Sequence, residues 1–178
     1  MLGRGISPIG IGTDICQISR IYKALSSSAG KKFVYRILTP QEVMRPRASR
    51  LFKRILGDHA HTIGPRDSNV MKAAEFMAGR FAAKEAVMKA YKIRRITFRD
   101  IEVTYERYLL SDLSREEQES SASSSSEEDH DQSSPPIAII KGDGNYEDSY
   151  AQLSISHDGD YAVAMCLIHF DGLRSKES

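Results

Sequence analysis

Residues 75–91, EFMAGRFAAKEAVMKAY, decide how this chain folds, because they read as one long helix with charges set into its apolar side. At about 100° per residue, Phe76, Met77, Phe81, Val87, Met88 and Tyr91, with Ala73 just before them, fall within an arc of about 140°. Arg80 and Lys84 fall inside that arc and Glu85 lies at its edge. An unpaired charge buried there is costly, so each must reach water, an opposite charge or a bound ion. Two readings stand on helix geometry alone. Glu85 and Lys89 form a favourable i, i+4 pair while the stems of Arg80 and Lys84 snorkel outward, or the charges gather at a binding site.

Upstream, PIGIGTDICQISRI (residues 8–21) opens with Ile9, Ile11 and Thr13 separated by Gly10 and Gly12, a short strand closely approached by other backbone, with Asp14 at its end. Residues 19–27 and 31–38 read as helices, and Thr39 with Glu42 three positions on, Pro40 between them, is a capping-box start to another. Residues 19–56 hold ten Lys or Arg, and Glu42 is their sole acid. GDHAHTIGPRDSN (57–69) reads as a polar loop; its His59 and His61, without further ligands nearby, are weak evidence for a metal.

Downstream, RRITFRDIEVTYERYLL (94–110) alternates Ile96 and Phe98, then Ile101, Val103 and Tyr105, with the period of a strand. Residues 111–134 contain ten Ser and eight Asp or Glu against Arg115 alone. That composition cannot bury enough apolar area to offset its ordering entropy and predicts a disordered insertion within the domain. PIAIIKGD then begins a further strand, and YAQLSISHDGDYAVAMCLIHF forms a hairpin of residues 151–157 and 161–170 about the HDGDY turn.

A length of 178 residues and a hydrophobic content of 40% suit one domain spanning 1–178 with a real core. The net charge of +1 argues for neither nucleic acid nor membrane. No apolar run is long enough to span a bilayer, and MLGRGISP lacks the features of a secretory signal. Cys16 and Cys166, the only cysteines, sit in apolar runs, as buried thiols of a reducing intracellular compartment do.

Asp14 at one strand end and His157, in SISHD at another, stand where chemistry gathers. Taken singly, Asp14 reads equally as a cap for the helix beginning near Ile18, and His157 as a turn residue. Together with Glu85, Asp14 offers two carboxylates, the number that suits Mg²⁺ completed by substrate phosphates. Arg80, Lys84 and Lys89 would then hold a polyphosphate.

The blocks IGIGTDICQISRI, FMAGRFAAKEAVMKA and LSISHDGDYAVAM resemble the three signature blocks of the phosphopantetheinyl transferases, of the short holo-acyl-carrier-protein synthase type. KKFVYRILTPQEV and FRDIEV resemble the segments between them, so the likeness covers most of residues 8–110 and 150–168. The resemblance implies an α+β domain with an antiparallel sheet wrapped around a long central helix. It implies transfer of the 4′-phosphopantetheine arm from coenzyme A to a serine of apo acyl carrier protein, releasing adenosine 3′,5′-bisphosphate. By that likeness Asp14 and Glu85 bind Mg²⁺, and Lys89 stabilises the leaving group. Arg80 and Lys84 are basic positions of the same block, with phosphate binding for one and structural pairing for the other. His157, with Ser156 beside it, lies in the coenzyme A site, and Arg20 contacts the carrier. Either Glu85 or a metal-bound water accepts the proton of the attacking serine.

The basic excess of residues 19–56 supplies a physical reason for an acidic carrier as partner. Kinship also implies a homotrimer with sites near subunit interfaces. The insertion at 111–134 departs from the compact turn of short bacterial-type members and looks eukaryotic, which favours a mitochondrial carrier and the mitochondrial matrix over the cytoplasm. Two other functions fit parts of the pattern: a Mg²⁺-dependent hydrolase of nucleotide pyrophosphates, and a non-catalytic module binding carrier protein or RNA through residues 19–56. The paired carboxylates beside cations argue against the second.

Overall fold

Glycine and alanine on facing surfaces let a helix lie unusually close to a sheet, and that contact organises the molecule. The computed structural model describes residues 8–57, 67–105 and 134–170. In chain order these form β1 (Ile9–Gln17), α1 (Ile18–Leu25), α2 (Gly30–Ile37), α3 (Pro40–Met44), α4 (Pro46–Leu56), α5 (Ser68–Ala90), a 3₁₀ turn (Phe98–Asp100), β2 (Ile101–Tyr105), β3 (Pro136–Ile140), β4 (Ser149–Asp158) and β5 (Tyr161–His169). The strands make one sheet in the order β1-β5-β4-β3-β2, with every neighbouring pair antiparallel. Helix α5 crosses its inner face, and α1 and α4 pack on the helix. This is the α+β arrangement expected from the sequence.

Helix α5 begins at Ser68, well before Glu75, because the Asp67 carboxylate accepts the N–H groups of Asn69 at 2.9 Å and Val70 at 3.3 Å. Its buried residues lie on all sides rather than on one stripe, Val70, Ala74, Met77, Ala82, Ala83 and Val87 among them. That is the pattern of a helix enclosed by its own protein. On the sheet side, a Cβ added at Gly12 would stand 1.9 Å from the Ala86 carbonyl oxygen, and one at Gly10 would stand 2.3 Å from that of Ala90. The β1 backbone therefore rests on the helix backbone. Ala162 and Ala164 of β5 and Ala151 of β4 continue the same small-residue surface.

Alternation along β1 sends Gly10, Gly12 and Cys16 inward and leaves Ile9, Ile11 and Ile15 exposed. On β5, Ala162, Ala164 and Cys166 are buried while Tyr161, Val163 and Met165 face out. The core is completed by Ile18, Ile21 and Leu25 of α1, Val34 and Ile37 of α2, and Phe52 and Ile55 of α4. Among the described residues no helix is long and apolar enough to cross a membrane.

Three expectations need correction. Asp14 lies inside β1, which runs on to Gln17, because the cross-strand pairing with β5 continues through Gln17↔Tyr161. The first helix is Ile18–Leu25, not 19–27. Ile96 and Phe98 do not share a strand with Ile101: the Asp100 carboxylate accepts the Thr97 N–H at 2.7 Å and its hydroxyl at 2.8 Å, curling the chain into the 3₁₀ turn before β2 starts. The capping box of Thr39 and Glu42 forms as expected, with Thr39 N–H donating to Glu42 Oε2 at 2.8 Å and Glu42 N–H to Thr39 Oγ1 at 3.2 Å. His59, His61 and all of the insertion except Ser134 lie outside the described residues.

Gly12→Ala should destabilise the protein by about 2–3 kcal/mol or more, since the added methyl meets backbone that cannot rotate away. Gly144, with nothing within 4 Å of an added Cβ, is the control, and Gly144→Ala should change stability by less than about 0.5 kcal/mol. Denaturant unfolding of the two variants measures the difference; equal stabilities would refute the close contact.

Candidate active site

The glycine contacts set the position of Asp14. Two residues beyond Gly12 on the inward side of β1, its carboxylate meets the last turns of α5, where Lys89 Nζ donates to Asp14 Oδ1 at 2.7 Å and to the Thr13 carbonyl oxygen at 2.9 Å. Glu85 precedes Lys89 by one turn and is half-buried. Burial raises the Glu85 carboxyl above the ordinary glutamate range, the nearby Asp14 charge raises it further, and Lys89 opposes both. Two carboxylates that repel each other beside a lysine make a site for a cation and an anion together. Among the described residues no group of three or more His, Cys, Asp or Glu is arranged around a metal. A divalent ion at Asp14 and Glu85 therefore needs ligands from a substrate or from water.

Arg20 borders this centre. Exposed on α1, its guanidinium lies 5.6 Å from the centroid of the Phe81 ring, one turn before Glu85, and 3.9 Å from Cys16 Sγ, two residues beyond Asp14. The start of α1 is held from across the sheet. Asp160, in the β4–β5 turn, accepts the Ser19 N–H at 2.8 Å, the Ser19 hydroxyl at 2.7 Å and Gln17 Nε2 at 2.9 Å. The Ser19 hydroxyl above all, then Gln17, holds the Asp160 carboxyl below the ordinary aspartate range. Asp160, not Asp14, serves the start of α1, which leaves Asp14 to the α5 centre. Nothing in HDGDY separated that role from ordinary turn chemistry.

A second group lines a cavity of about 840 Å³ on another side of α5, with Arg47, Lys72, Glu75, Arg80, Tyr105 and His157 in its wall. Arg80 is 5% exposed, donates to the Val103 carbonyl oxygen at 3.2 Å, and lies 4.8 Å from the Phe76 ring centroid and 5.6 Å from that of Tyr105. His157 Nε2 is 3.1 Å from the Glu75 carbonyl oxygen. The two groups do not meet within one chain. Gly79, which His157 touches, and Glu85 are six residues apart, about 9 Å along the helix axis and about 120° around it.

Two residues expected in the phosphate and coenzyme A site stand apart from both groups. Lys84 is fully buried; its Nζ donates to Glu42 Oε2 at 2.5 Å, the Ile37 carbonyl oxygen at 2.7 Å and the Phe98 carbonyl oxygen at 3.1 Å. All three ammonium protons are thereby used, so Lys84 is a structural cation and not a phosphate ligand. Burial pulls its pKa down while Glu42 pushes it back. Ser156 is exposed, and strand alternation puts it on the opposite face of the sheet from His157, outside the cavity wall. Of the expected residues, Asp14, Glu85, Lys89 and Arg20 come together, and Arg80 and His157 form the second group. Glu42 was legible only as a cap, although its standing as the sole acid in a basic run was a signal that it faces inward.

A model of the 4′-phosphopantetheinyl transferase superfamily matches residues 10–166, a span that holds both groups. The chain belongs to that superfamily. Similar proteins include a holo-[acyl-carrier-protein] synthase of Geobacillus kaustophilus (strain HTA426), 34% identical over 163 residues that make up 90% of this chain and 88% of that protein. Another, of Geobacillus sp. (strain WCH70), is 30% identical over 163 residues, covering 90% of this chain and 95% of its own. In fold the chain is similar to the crystal structure of the holo-ACP-synthase of Plasmodium yoelii, with a TM-score of 0.53, 24% identity, and coverage of 93% of this chain and 97% of that one.

The two readings of Lys84 separate experimentally. Lys84→Met leaves the Glu42 carboxylate buried without its cation and should cost about 3–5 kcal/mol, with Glu42→Gln/Lys84→Met recovering part of the loss. Thermal unfolding checks both. An unchanged melting temperature in Lys84→Met would return the lysine to the binding site.

Proposed function

We propose that this chain is a holo-acyl-carrier-protein synthase, transferring the 4′-phosphopantetheine arm of coenzyme A to a serine of apo acyl carrier protein. The observation that carries the reading is the meeting of Asp14, Glu85 and Lys89 between β1 and α5, inside the span matched by the transferase family. In the reaction the serine hydroxyl oxygen of the carrier bonds to the β-phosphorus of coenzyme A. The bond from that phosphorus to the bridging oxygen of the pyrophosphate breaks, and adenosine 3′,5′-bisphosphate departs with the electron pair.

Asp14 and Glu85 fit Mg²⁺, since both are hard oxygen donors whose mutual repulsion a cation would relieve. When bound, the ion neutralises pyrophosphate charge and stabilises the departing phosphate. Glu85, a half-buried carboxylate one turn from Lys89 in the same centre, is our candidate to accept the serine proton. Lys89, anchored on Asp14 and Thr13, is placed to meet the charge that develops on the leaving group. Arg20, on the rim of this centre, receives the acidic carrier and brings its serine to the carboxylates. Arg80 and His157, in the cavity on the other side of α5, take the phosphates of the nucleotide portion of coenzyme A.

Because those two groups stand on different sides of α5, we place a complete site between two copies of the chain. The outer faces of β1 and β5 supply the contact: Ile11 is 63%, Ile15 60% and Met165 55% exposed, a contiguous apolar surface on the edge strand and its neighbour. A lone soluble subunit rarely leaves such a surface uncovered. The homotrimer of the short family members is the assembly we favour.

Intact mass of an apo acyl carrier protein after incubation with this protein, coenzyme A and Mg²⁺ tests the activity. One phosphopantetheine should be gained, EDTA should abolish the gain, and Asp14→Asn or Glu85→Gln should lower the rate by about a thousandfold or more with the fold kept. Coenzyme A cleavage without carrier modification would point to a hydrolase instead. Shared sites predict complementation: co-expressed Asp14→Asn and His157→Ala chains should regain activity at low coenzyme A above that of either variant alone. No recovery, with a monomer in sedimentation, would rule out the shared site.

A further inference from the structure

Helix α5 carries a glycine at its midpoint, Gly79, eleven residues from each end. Glycine weakens a helix interior relative to alanine, the residue found beside it at Ala78 and again at Ala82 and Ala83. Some contact must therefore require the missing side chain. A Cβ built at Gly79 meets His157 Nε2 at 3.0 Å and His157 Cε1 at 3.1 Å, with Ile155 Cγ2 at 3.2 Å. Both partners belong to β4, and the imidazole is the closer obstruction.

The contact determines how the histidine is presented. Its Nε2 sits 3.1 Å from the Glu75 carbonyl oxygen, one turn before Gly79 on the same helix. A carbonyl oxygen only accepts, so Nε2 is the donor, and Nδ1 is the ring nitrogen left for a ligand in the cavity. Strand β4 is held here by β5, with His157 itself paired to Ala162 and Ile155 to Ala164, while its pairing with β3 ends at Gln152, so the ring is freer to move than the strand. A methyl at position 79 would instead push the ring off the helix by a few tenths of an ångström and strain its bond to Glu75. Arg80, the next residue, is held by Val103 and by the Phe76 ring and would stay in place.

We propose that Gly79 is a positioning residue for His157. The bare helix backbone at Gly79 is the seat on which the imidazole rests, and it leaves Nδ1 as the ring nitrogen that joins Arg80 toward a phosphate of the donor substrate, to which it donates in the imidazolium form, with Nε2 donating to Glu75. The inference rests on the transferase reading for the identity of that ligand, but the seat itself is a matter of packing.

A double-mutant cycle of Gly79→Ala, His157→Ala and the combined variant tests it, read both by melting temperature and by KM and kcat for coenzyme A at saturating apo carrier. Each single variant should raise KM for coenzyme A about tenfold, with the loss concentrated in KM and not in kcat. The combined variant should match His157→Ala within about twofold and not show the product of the two effects. Gly79→Ala should lower the melting temperature of the wild type but leave unchanged or raise that of His157→Ala, because with the imidazole gone alanine is the better helix former. A glycine that served the helix for any other reason would not reverse sign with the histidine. Multiplicative KM effects, or an equal fall in melting temperature in both backgrounds, would overturn the proposal. If the wild type modifies no carrier, the transferase reading falls, and the melting-temperature cycle alone decides the seat.

Discussion

The buried ion pair of Lys84 and Glu42 is the constraint on which the remaining geometry hangs. Lys84 is 0% and Glu42 2% exposed, and between them they bind five parts of the chain. The lysine comes from α5 and reaches the last residue of α2 at Ile37 and the 3₁₀ turn at Phe98; the glutamate belongs to α3 and also accepts the Val103 N–H of β2 at 3.1 Å. A buried pair of this kind contributes little net stability over an apolar replacement, because desolvation offsets its attraction. What it supplies is a single permitted arrangement, since any shift leaves a charge or a carbonyl without a partner. Arg45 extends the network, donating to Glu102 at 2.7 Å and to the Thr104 hydroxyl.

The pair has a second effect, on the surface. Glu42 is the sole acid in residues 19–56, and the fold spends it inside the core. Arg20, Lys23, Lys31, Lys32 and Arg36 on α1 and α2, and Arg47, Arg50, Lys53 and Arg54 on α4, are all exposed. The outward face of this segment is thus more uniformly basic than its sequence suggests. Long-range attraction of an acidic partner depends on what solvent sees, so burying one carboxylate sharpens the field that would steer it.

Most of the architecture was legible because its signals are local. The Thr39–Glu42 box, the glycine-rich strand and the HDGDY turn each declare their geometry within a few residues, and the structure contains all three. Lys84 was the harder case. Spacing places it on the same arc as Arg80, but whether a buried lysine meets a phosphate or a glutamate depends on a partner 42 positions away. Asp160 escaped notice for the same reason, as its bonds to Ser19 span 141 positions. Thr97 and Asp100 show the opposite failure, in which a local side-chain bond overrode a convincing strand alternation at Ile96 and Phe98.

The division of the candidate site into two groups follows from how a helix enclosed on all sides can present polar chemistry. A helix lying along a protein surface can gather its polar residues on one exposed face. Past its first turns, where Ser68, Asn69, Lys72 and Glu75 are exposed, helix α5 has no such face, since small residues press it to the sheet and α1 and α4 cover much of what remains. A polar group on it must either find its partners inside, as Lys84 does with Glu42, or emerge at a gap in that cover. Glu85 and Lys89 emerge beside the edge strand β1, where Asp14 meets them; Arg80 and the backbone under His157 emerge where β4 turns and α4 ends the cover. A substrate carrying two separate phosphate groups would have to pass around the helix to touch both gaps of one chain. In the proposed assembly, two chains joined through the exposed outer face of β1 and β5 would offer a shorter path if the carboxylates of one copy came near the Arg80 and His157 cavity of the next. The apolar strand face and the divided polar groups, unrelated when viewed along the sequence, would then answer to one requirement.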